Sequence, residues 1–103
     1  MPYYDVWGIE IRVPEERLEH SQRTEVVGEE VRIAATLLEP DFVRFSNHDD
    51  EARLYYRRFV DSPVGDKLFC VVVKWDLEDS FVLTVYLTSK PKRGLHLWPE
   101  NTT

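Results

Sequence analysis

The chain has 103 residues and a formal net charge of −6, with 43% hydrophobic and 31% charged residues. This length predicts one domain, residues 1–103, and the composition excludes a disordered chain. No apolar run approaches the ~20 residues that span a bilayer, and the first residues lack the build of a signal peptide. The single cysteine, Cys70, cannot form an internal disulfide. We therefore expect a cytoplasmic protein with no membrane partner.

The charge is unevenly distributed along the chain. Residues 1–51 contain 13 acidic and 5 basic residues, whereas residues 52–103 contain 6 acidic and 8 basic residues. The net negative charge counts against a general nucleic-acid binder, because phosphate contacts supply most non-specific affinity. The second half can still present a basic face, while the first half repels polyanions.

The first half of the chain predicts a strand and two helices. Apolar and polar residues alternate from Ile9 to Val13, which is typical of a strand. A polar helix is predicted from Pro14 to about Arg23, since proline and the glutamates after it suit a first turn. A second helix is predicted over Val26–Leu38 and ends before Pro40. Its predicted buried positions recur at helical spacing: Val27, Val31, Ala34 and Leu38, with Leu37 beside them.

The second half predicts strands joined by short turns. They are expected over residues 41–45, 53–60, 68–75 and 81–88, with turns or loops between them. Neighbours with connections this short pair antiparallel. The sequence therefore predicts an α+β fold, in which an N-terminal strand and two helices pack on one face of an antiparallel sheet of about four strands. Val71 and Val73 are expected to be buried under the helix that runs from Gly28 to Leu38.

The last two strands predict one covered and one open sheet face. Period-two spacing assigns Phe81, Leu83, Val85 and Leu87 to the core, and the residues between them to the open face. On the preceding strand the same spacing assigns Cys70, Val72 and Lys74 to the open face with Thr84 and Tyr86. One interpretation of this face is an ordinary solvated surface made of good strand formers.

The strand over residues 53–60 is harder to orient. Its even-numbered side is the more apolar, so we predict that side inward. Tyr55 and Arg57 would then join Lys74 on the open face, where an arginine, a lysine and tyrosines can hold a phosphate and stack a base. The alternative is an exposed strand with cation–π contacts.

The histidines do not predict a metal site. His20, His48 and His96 fall on different elements, without a second ligand at metal spacing. His20 lies near the end of the polar helix and is the candidate for proton transfer near neutral pH, and His96 is its rival. No cofactor is predicted.

Taken in order, several segments resemble the phage barnase–EndoU–colicin–RelE-like nuclease domains, which have the BECR fold. The segments are Leu18–His20, Leu38–Val43, Leu54–Arg58, Val71–Lys74, Val82–Thr88 and Lys92–Gly94. The match runs over residues 9–98. The resemblance implies two helices before an antiparallel sheet and a toxin-like, metal-independent ribonuclease.

The resemblance also implies roles for individual residues. His20 would take the proton of the ribose 2′-hydroxyl, and that oxygen would attack the adjacent phosphorus. The bond from phosphorus to the 5′-oxygen would break, and an acid would protonate the leaving 5′-oxygen. Arg57 and Lys74 would hold the phosphate, and Thr84 would orient it. Substrate binding would fall to Tyr55 and Tyr86, which would stack a base or donate a proton.

Two hypotheses follow for the function. The first is a hydrolase: a small endoribonuclease with RNA as its partner. The second is a catalytically degenerate module of the same fold that binds RNA or a partner protein, including a neutralising one. The acidic first half favours the second hypothesis, and the grouping of Arg57, Lys74 and Thr84 favours the first. Arg23 and Thr24 stand where a His-Pro pair often follows the first helix of such domains, and this loss of a second histidine weakens an acid–base pair. The sequence does not indicate the oligomeric state.

Overall fold

A computed structural model describes residues 3–14, 29–47, 51–59 and 67–99, and these form a sheet of seven strands with one helix against it. In chain order the elements are β1 (Tyr3–Tyr4), β2 (Glu10–Arg12), α1 (Glu29–Leu38), β3 (Phe42–Phe45), β4 (Ala52–Phe59), β5 (Lys67–Lys74), β6 (Ser80–Thr88) and β7 (His96–Trp98). Their order across the sheet is β1-β2-β6-β5-β4-β3-β7. The sheet curls into a half-barrel.

The centre of the sheet is an antiparallel meander of β3, β4, β5 and β6. The β4 and β5 strands pair without interruption from Ala52↔Lys74 to Phe59↔Lys67. The β5–β6 ladder shifts by one residue, because Val72 lies opposite Thr84 while Val73 lies opposite Val82. The extra residue in β6 is a bulge, and it reverses the side to which the start of β6 points.

The first two strands form a small hairpin at one edge of the sheet. β1 pairs antiparallel with β2, and β2 pairs parallel with the start of β6 through Ile11↔Ser80 and Arg12↔Phe81. Gly8 lies in the connecting turn with φ of +79°, a conformation that side chains disfavour. The sheet is therefore mixed and not purely antiparallel.

Helix α1 packs against one side of the sheet. Ile33 and Leu37, one turn apart, are buried against Val71 and Val73, as predicted for both valines. We call this side of the sheet the helix face. The other side holds a smaller cluster of Leu54, Tyr56 and Cys70, with Phe42, Leu68, Val72 and Tyr86 packed around it.

The predicted buried stripe of the helix is wrong at Val31 and Leu38, whereas Leu37 is buried as predicted and Val27 lies outside the described residues. Val31 is 71% exposed and Leu38 is 54% exposed, while Ile33 and Leu37 make the contact with the sheet. Both stripes are apolar, so periodicity alone does not separate them. Arg57 fixes the orientation by donating hydrogen bonds to the carbonyls of Ala35 and Glu39 at the end of the helix.

The predicted fold class is also wrong. Within the described residues the structure is mostly sheet, with seven strands in parallel and antiparallel pairs and one helix. The prediction missed β1 and β7, because two- and three-residue strands are too short to show a period. The first predicted helix, from Pro14 to Arg23, lies outside the described residues apart from Pro14 itself.

Candidate functional site

Residues 89–95 cross the side of the sheet opposite the helix, and we call this segment the strap. It joins β6 to β7, and β5, β4 and β3 lie between those two strands. We call the side that it crosses the strap face. The backbone N–H of Lys92 donates to the Tyr56 hydroxyl at 2.9 Å, and Tyr56 is fully buried. The strap is thus fixed above the smaller apolar cluster.

The far end of the strap is attached to β3. The Arg44 guanidinium donates to the carbonyl of Lys92 at 3.0 Å, and the backbone N–H of Phe45 donates to the carbonyl of Leu95 at 2.8 Å. Gly94 passes so close to Phe45 that a Cβ at position 94 would overlap the Phe45 carbonyl oxygen. Only glycine fits this approach, and it sets the path of the strap.

Three cations of the strap face lie over aromatic rings. The guanidinium of Arg44 is 5.0 Å from the centre of the Phe42 ring, and the ammonium of Lys92 is 5.4 Å from that of Tyr86. Arg12 lies 5.1 Å from the ring of Phe81. Each ring holds its cation near the surface, where cation–π attraction contributes roughly 0.5–1 kcal/mol.

The strap is a basic segment without acidic residues. It contains Lys90, Lys92 and Arg93, all exposed. Within the described residues, these three and Arg44 have no ion pair with a carboxylate, whereas Lys74 pairs with Glu51 at 3.0 Å and Arg12 with Asp79 at 3.3 Å. The positive potential of this face is therefore concentrated at the strap and Arg44.

Beneath the strap the polar groups stay protonated. Burial raises the pKa of the Cys70 thiol to about 11 and also raises the pKa values of Tyr56 and Tyr86. The Tyr86 hydroxyl oxygen is buried and has no hydrogen-bond partner among the described residues. These groups are neutral near pH 7, so they add no charge to the face beneath the strap.

A second polar cluster lies on the helix face, around the buried carboxylate of Asp5. Its Oδ2 accepts hydrogen bonds from the Tyr55 hydroxyl at 2.7 Å and from the Trp75 indole N–H at 3.0 Å. Its Oδ1 accepts from the backbone N–H groups of Trp7 and Ile9. The carboxylate thereby ties the β1–β2 turn to the middle of the sheet.

Arg53 provides the positive charge near this carboxylate. Its guanidinium stacks on Trp75 at 3.6 Å and lies 4.7 Å from Trp7 and 5.6 Å from Phe45. Burial lowers the pKa of Arg53 and raises that of Tyr55, so Tyr55 acts as a hydrogen-bond donor. Asp5 and Tyr55 are each at most 1% exposed, so this cluster is part of the structural core and not a ligand site.

The structure separates the predicted phosphate-binding residues. Arg57 lies on the helix face, where it contacts the end of α1, whereas Lys74 points to the strap face. Tyr55 is fully buried on the helix face and not on an open face. The inward assignment of the 53–60 strand is wrong, because both of its sides pack: Tyr55 under the helix and Tyr56 under the strap.

Other predicted site residues do share a face. The register places Thr84 opposite Val72 and Tyr86 opposite Cys70, so both lie on the strap face with Lys74, as predicted. Phe81 joins them and Val82 is buried in the core, which reverses the prediction for those two residues because of the bulge. His20 lies outside the described residues. His96 is exposed on β7, with its Nε2 2.6 Å from the carbonyl of Pro99.

Three important residues were given no site role in the sequence analysis: Asp5, Arg44 and Lys92. A signal existed for Lys92, because the acid-free run from Lys90 to Arg93 follows directly on the strand that carries Tyr86. Arg44 can be recognised only when the pairing of β3 with β4 is known, because that register places Phe42 opposite Tyr56. Nothing local marks Asp5, whose partners lie 50 and 70 residues away.

No family model, curated protein or solved structure matches the chain. Within the residues that the structure describes, no helix is long and apolar enough to cross a membrane. The same residues contain no group of three His, Cys, Asp or Glu side chains placed to hold a metal ion.

Proposed function

We propose that the domain binds single-stranded RNA on its strap face, through the phosphates. The observation that carries the proposal is the pair Arg44 and Lys92, each held over a ring and joined through the Lys92 carbonyl. Arginine and lysine side chains without carboxylate partners are the groups that bind phosphate oxygens. Lys90 and Arg93 extend the same charge along the strap.

The acidic part of the sequence does not oppose this proposal directly. Most acidic residues belong to the first 51 positions, whereas the strap and the strands around it come mainly from the second half. A local basic surface on an acidic protein attracts polyanions when it is wider than the screening length, about 8 Å at physiological salt. RNA binding is therefore expected to weaken steeply as salt rises.

The test is a titration of a dye-labelled 12-nucleotide RNA, followed by fluorescence anisotropy at several salt concentrations. The variant Arg44→Gln/Lys92→Gln removes both charges, leaves the backbone of the strap intact and is expected to weaken binding at least tenfold. It should also lower the salt slope by roughly 1–2, since each lost phosphate contact contributes about 0.7–1.

Arg32→Gln is the matched control. Arg32 also lies over a ring, 4.3 Å from the centre of Phe59, but this pair is on the helix side of the sheet. The control should bind RNA like the wild type. Absence of salt-dependent binding by the wild type, or an equal loss in the control, would overturn the proposal.

RNA cleavage is the second candidate, favoured by the presence of Lys74 and Thr84 on the same face as the strap. Labelled RNA incubated with the protein and EDTA would be resolved on a denaturing gel. Fragments ending in a 2′,3′-cyclic phosphate that disappear in His20→Ala support cleavage with His20 as the base. RNA that is bound but stays intact assigns the domain to binding alone.

A further inference from the structure

We infer that the strap face recognises its ligand as a chain of phosphates, without reading or stacking the bases. This inference rests on the proposed RNA binding and specifies the part of the nucleic acid that is bound. Proteins that bind single strands through their bases offer aromatic ring faces on which the bases stack. The aromatic rings of the strap face are used differently.

Five described aromatic side chains point to this side of the sheet. The four on β3, β4 and β6 are each engaged by the protein, and the fifth, Tyr4, is exposed on the edge strand β1. Tyr56 is fully buried, and Phe42 stacks on it with ring centres 4.9 Å apart and 22° between the planes. Arg44 covers Phe42, and the corresponding cations over Tyr86 and Phe81 are Lys92 and Arg12. A base that stacked on Phe42, Tyr86 or Phe81 would first have to displace a cation.

The layout of the cation–ring pairs suits an extended polyanion. Phe42 and Tyr86, the rings under Arg44 and Lys92, lie in one row across the sheet, three strand spacings apart, on the order of 14 Å at ~4.8 Å per strand. Phe81 lies further along β6, and its cation is paired with a carboxylate. The two cations without a carboxylate partner among the described residues thus lie over rings that are separated by more than the width of one phosphate.

The side chains between the cations offer little for base recognition. Leu54, Val72 and Cys70 lie beneath the cations, and the Tyr86 hydroxyl is buried away from solvent. Between Tyr86 and Phe81, β6 exposes a single hydroxyl on this face, that of Thr84. Reading a base requires hydrogen-bond groups directed at its edge. Phosphate oxygens, in contrast, are satisfied by guanidinium and ammonium groups without regard to sequence.

The experiment compares four dye-labelled 12-mers at one salt concentration: U12, A12, dT12 and a chain of twelve abasic deoxyribose phosphates. We expect dissociation constants that agree within about threefold, and displacement of all four by inorganic polyphosphate. A12 or U12 binding more than tenfold more tightly than the abasic chain would overturn this inference and leave the proposed RNA binding in place. If none of the four binds, the proposed function itself is overturned.

Phe42→Leu tests the role of the rings directly. If Phe42 positions Arg44, its loss weakens binding of A12 and of the abasic chain by the same factor. If Phe42 stacks a base, its loss weakens A12 binding and spares the abasic chain, which contradicts the inference. Phe59→Leu, which removes the ring under Arg32 on the helix side, is the control and should leave binding of both chains unchanged.

Discussion

The buried carboxylate of Asp5 gives the sharpest test of how this fold is held together. Its two oxygens accept four hydrogen bonds, from the backbone N–H groups of Trp7 and Ile9, the Tyr55 hydroxyl and the Trp75 indole. Asp5→Asn keeps the size of the side chain but replaces one acceptor oxygen with an NH₂ group. If the remaining oxygen serves the backbone donors, the NH₂ group faces Tyr55 and Trp75.

The size of the destabilisation follows from the ability of each partner to donate or accept a hydrogen bond. The Tyr55 hydroxyl can rotate and accept a hydrogen bond from the new amide, whereas the indole N–H of Trp75 can only donate and loses its partner. An unsatisfied buried donor costs about 1–3 kcal/mol, and loss of the carboxylate charge weakens the remaining bonds by about 1 kcal/mol. We expect Asp5→Asn to lower the free energy of unfolding by about 2–4 kcal/mol, or the Tm by roughly 10–30 °C.

Urea titration followed by tryptophan fluorescence measures this loss, because Trp7 and Trp75 report on the site itself. The control is Asp79→Asn, whose carboxylate is exposed and pairs with Arg12 at 3.3 Å. An exposed pair of this kind contributes less than about 1 kcal/mol. If Asp5→Asn unfolds at the same urea midpoint as Asp79→Asn, the carboxylate does not hold the turn to the sheet and the reasoning is refuted.

Two further predictions concern the strap and the cluster beneath it. Gly94→Ala should lower the free energy of unfolding by about 1–3 kcal/mol, since its Cβ would overlap the Phe45 carbonyl oxygen and force the strap away from β3. Thermal melts should show a smaller loss of stability for Gly8→Ala, because nothing lies within 4 Å of a Cβ there and only the positive φ is unfavourable. A larger loss for Gly8→Ala than for Gly94→Ala would contradict the close approach of Gly94 to Phe45. Burial raises the pKa of Cys70 from 9.0 to about 11, so the thiol loses its proton at a lower pH in the unfolded chain than in the folded protein. The stability that the protonated thiol contributes is therefore complete below pH 9 and is lost as the pH rises towards 11. The urea midpoint should therefore fall over that range, and Cys70→Ala should show a shallower fall; an equal fall in both proteins would assign the effect to other groups.

The sequence predicted the central strands and part of their facing. The periods of β5 and of the end of β6 correctly put Val71 and Val73 under the helix, and Lys74, Thr84 and Tyr86 together on the other side. Alternation is reliable there because each of these strands is long enough for its period to repeat.

The rest depended on contacts that no local pattern contains. A single bulge at Leu83 reversed Phe81 and Val82, and a strand buried on both sides, β4, has no polar face from which to orient it. The candidate site changed for the same reason. Arg57 turns to the helix, and the cation that lies over Phe42 is Arg44, whose side of the sheet is set by its pairing with β4.

The pairing of β2 with β6 imposes an order on folding. Ile11 pairs with Ser80, 69 residues later, and Asp5 bonds to Trp75, so the first hairpin cannot complete its contacts before β5 and β6 are in place. The β3–β6 meander, in contrast, closes through neighbouring contacts as it is made. The hairpin is therefore expected to join a preformed meander last, and its amides should exchange with solvent through a partial opening that leaves the meander intact.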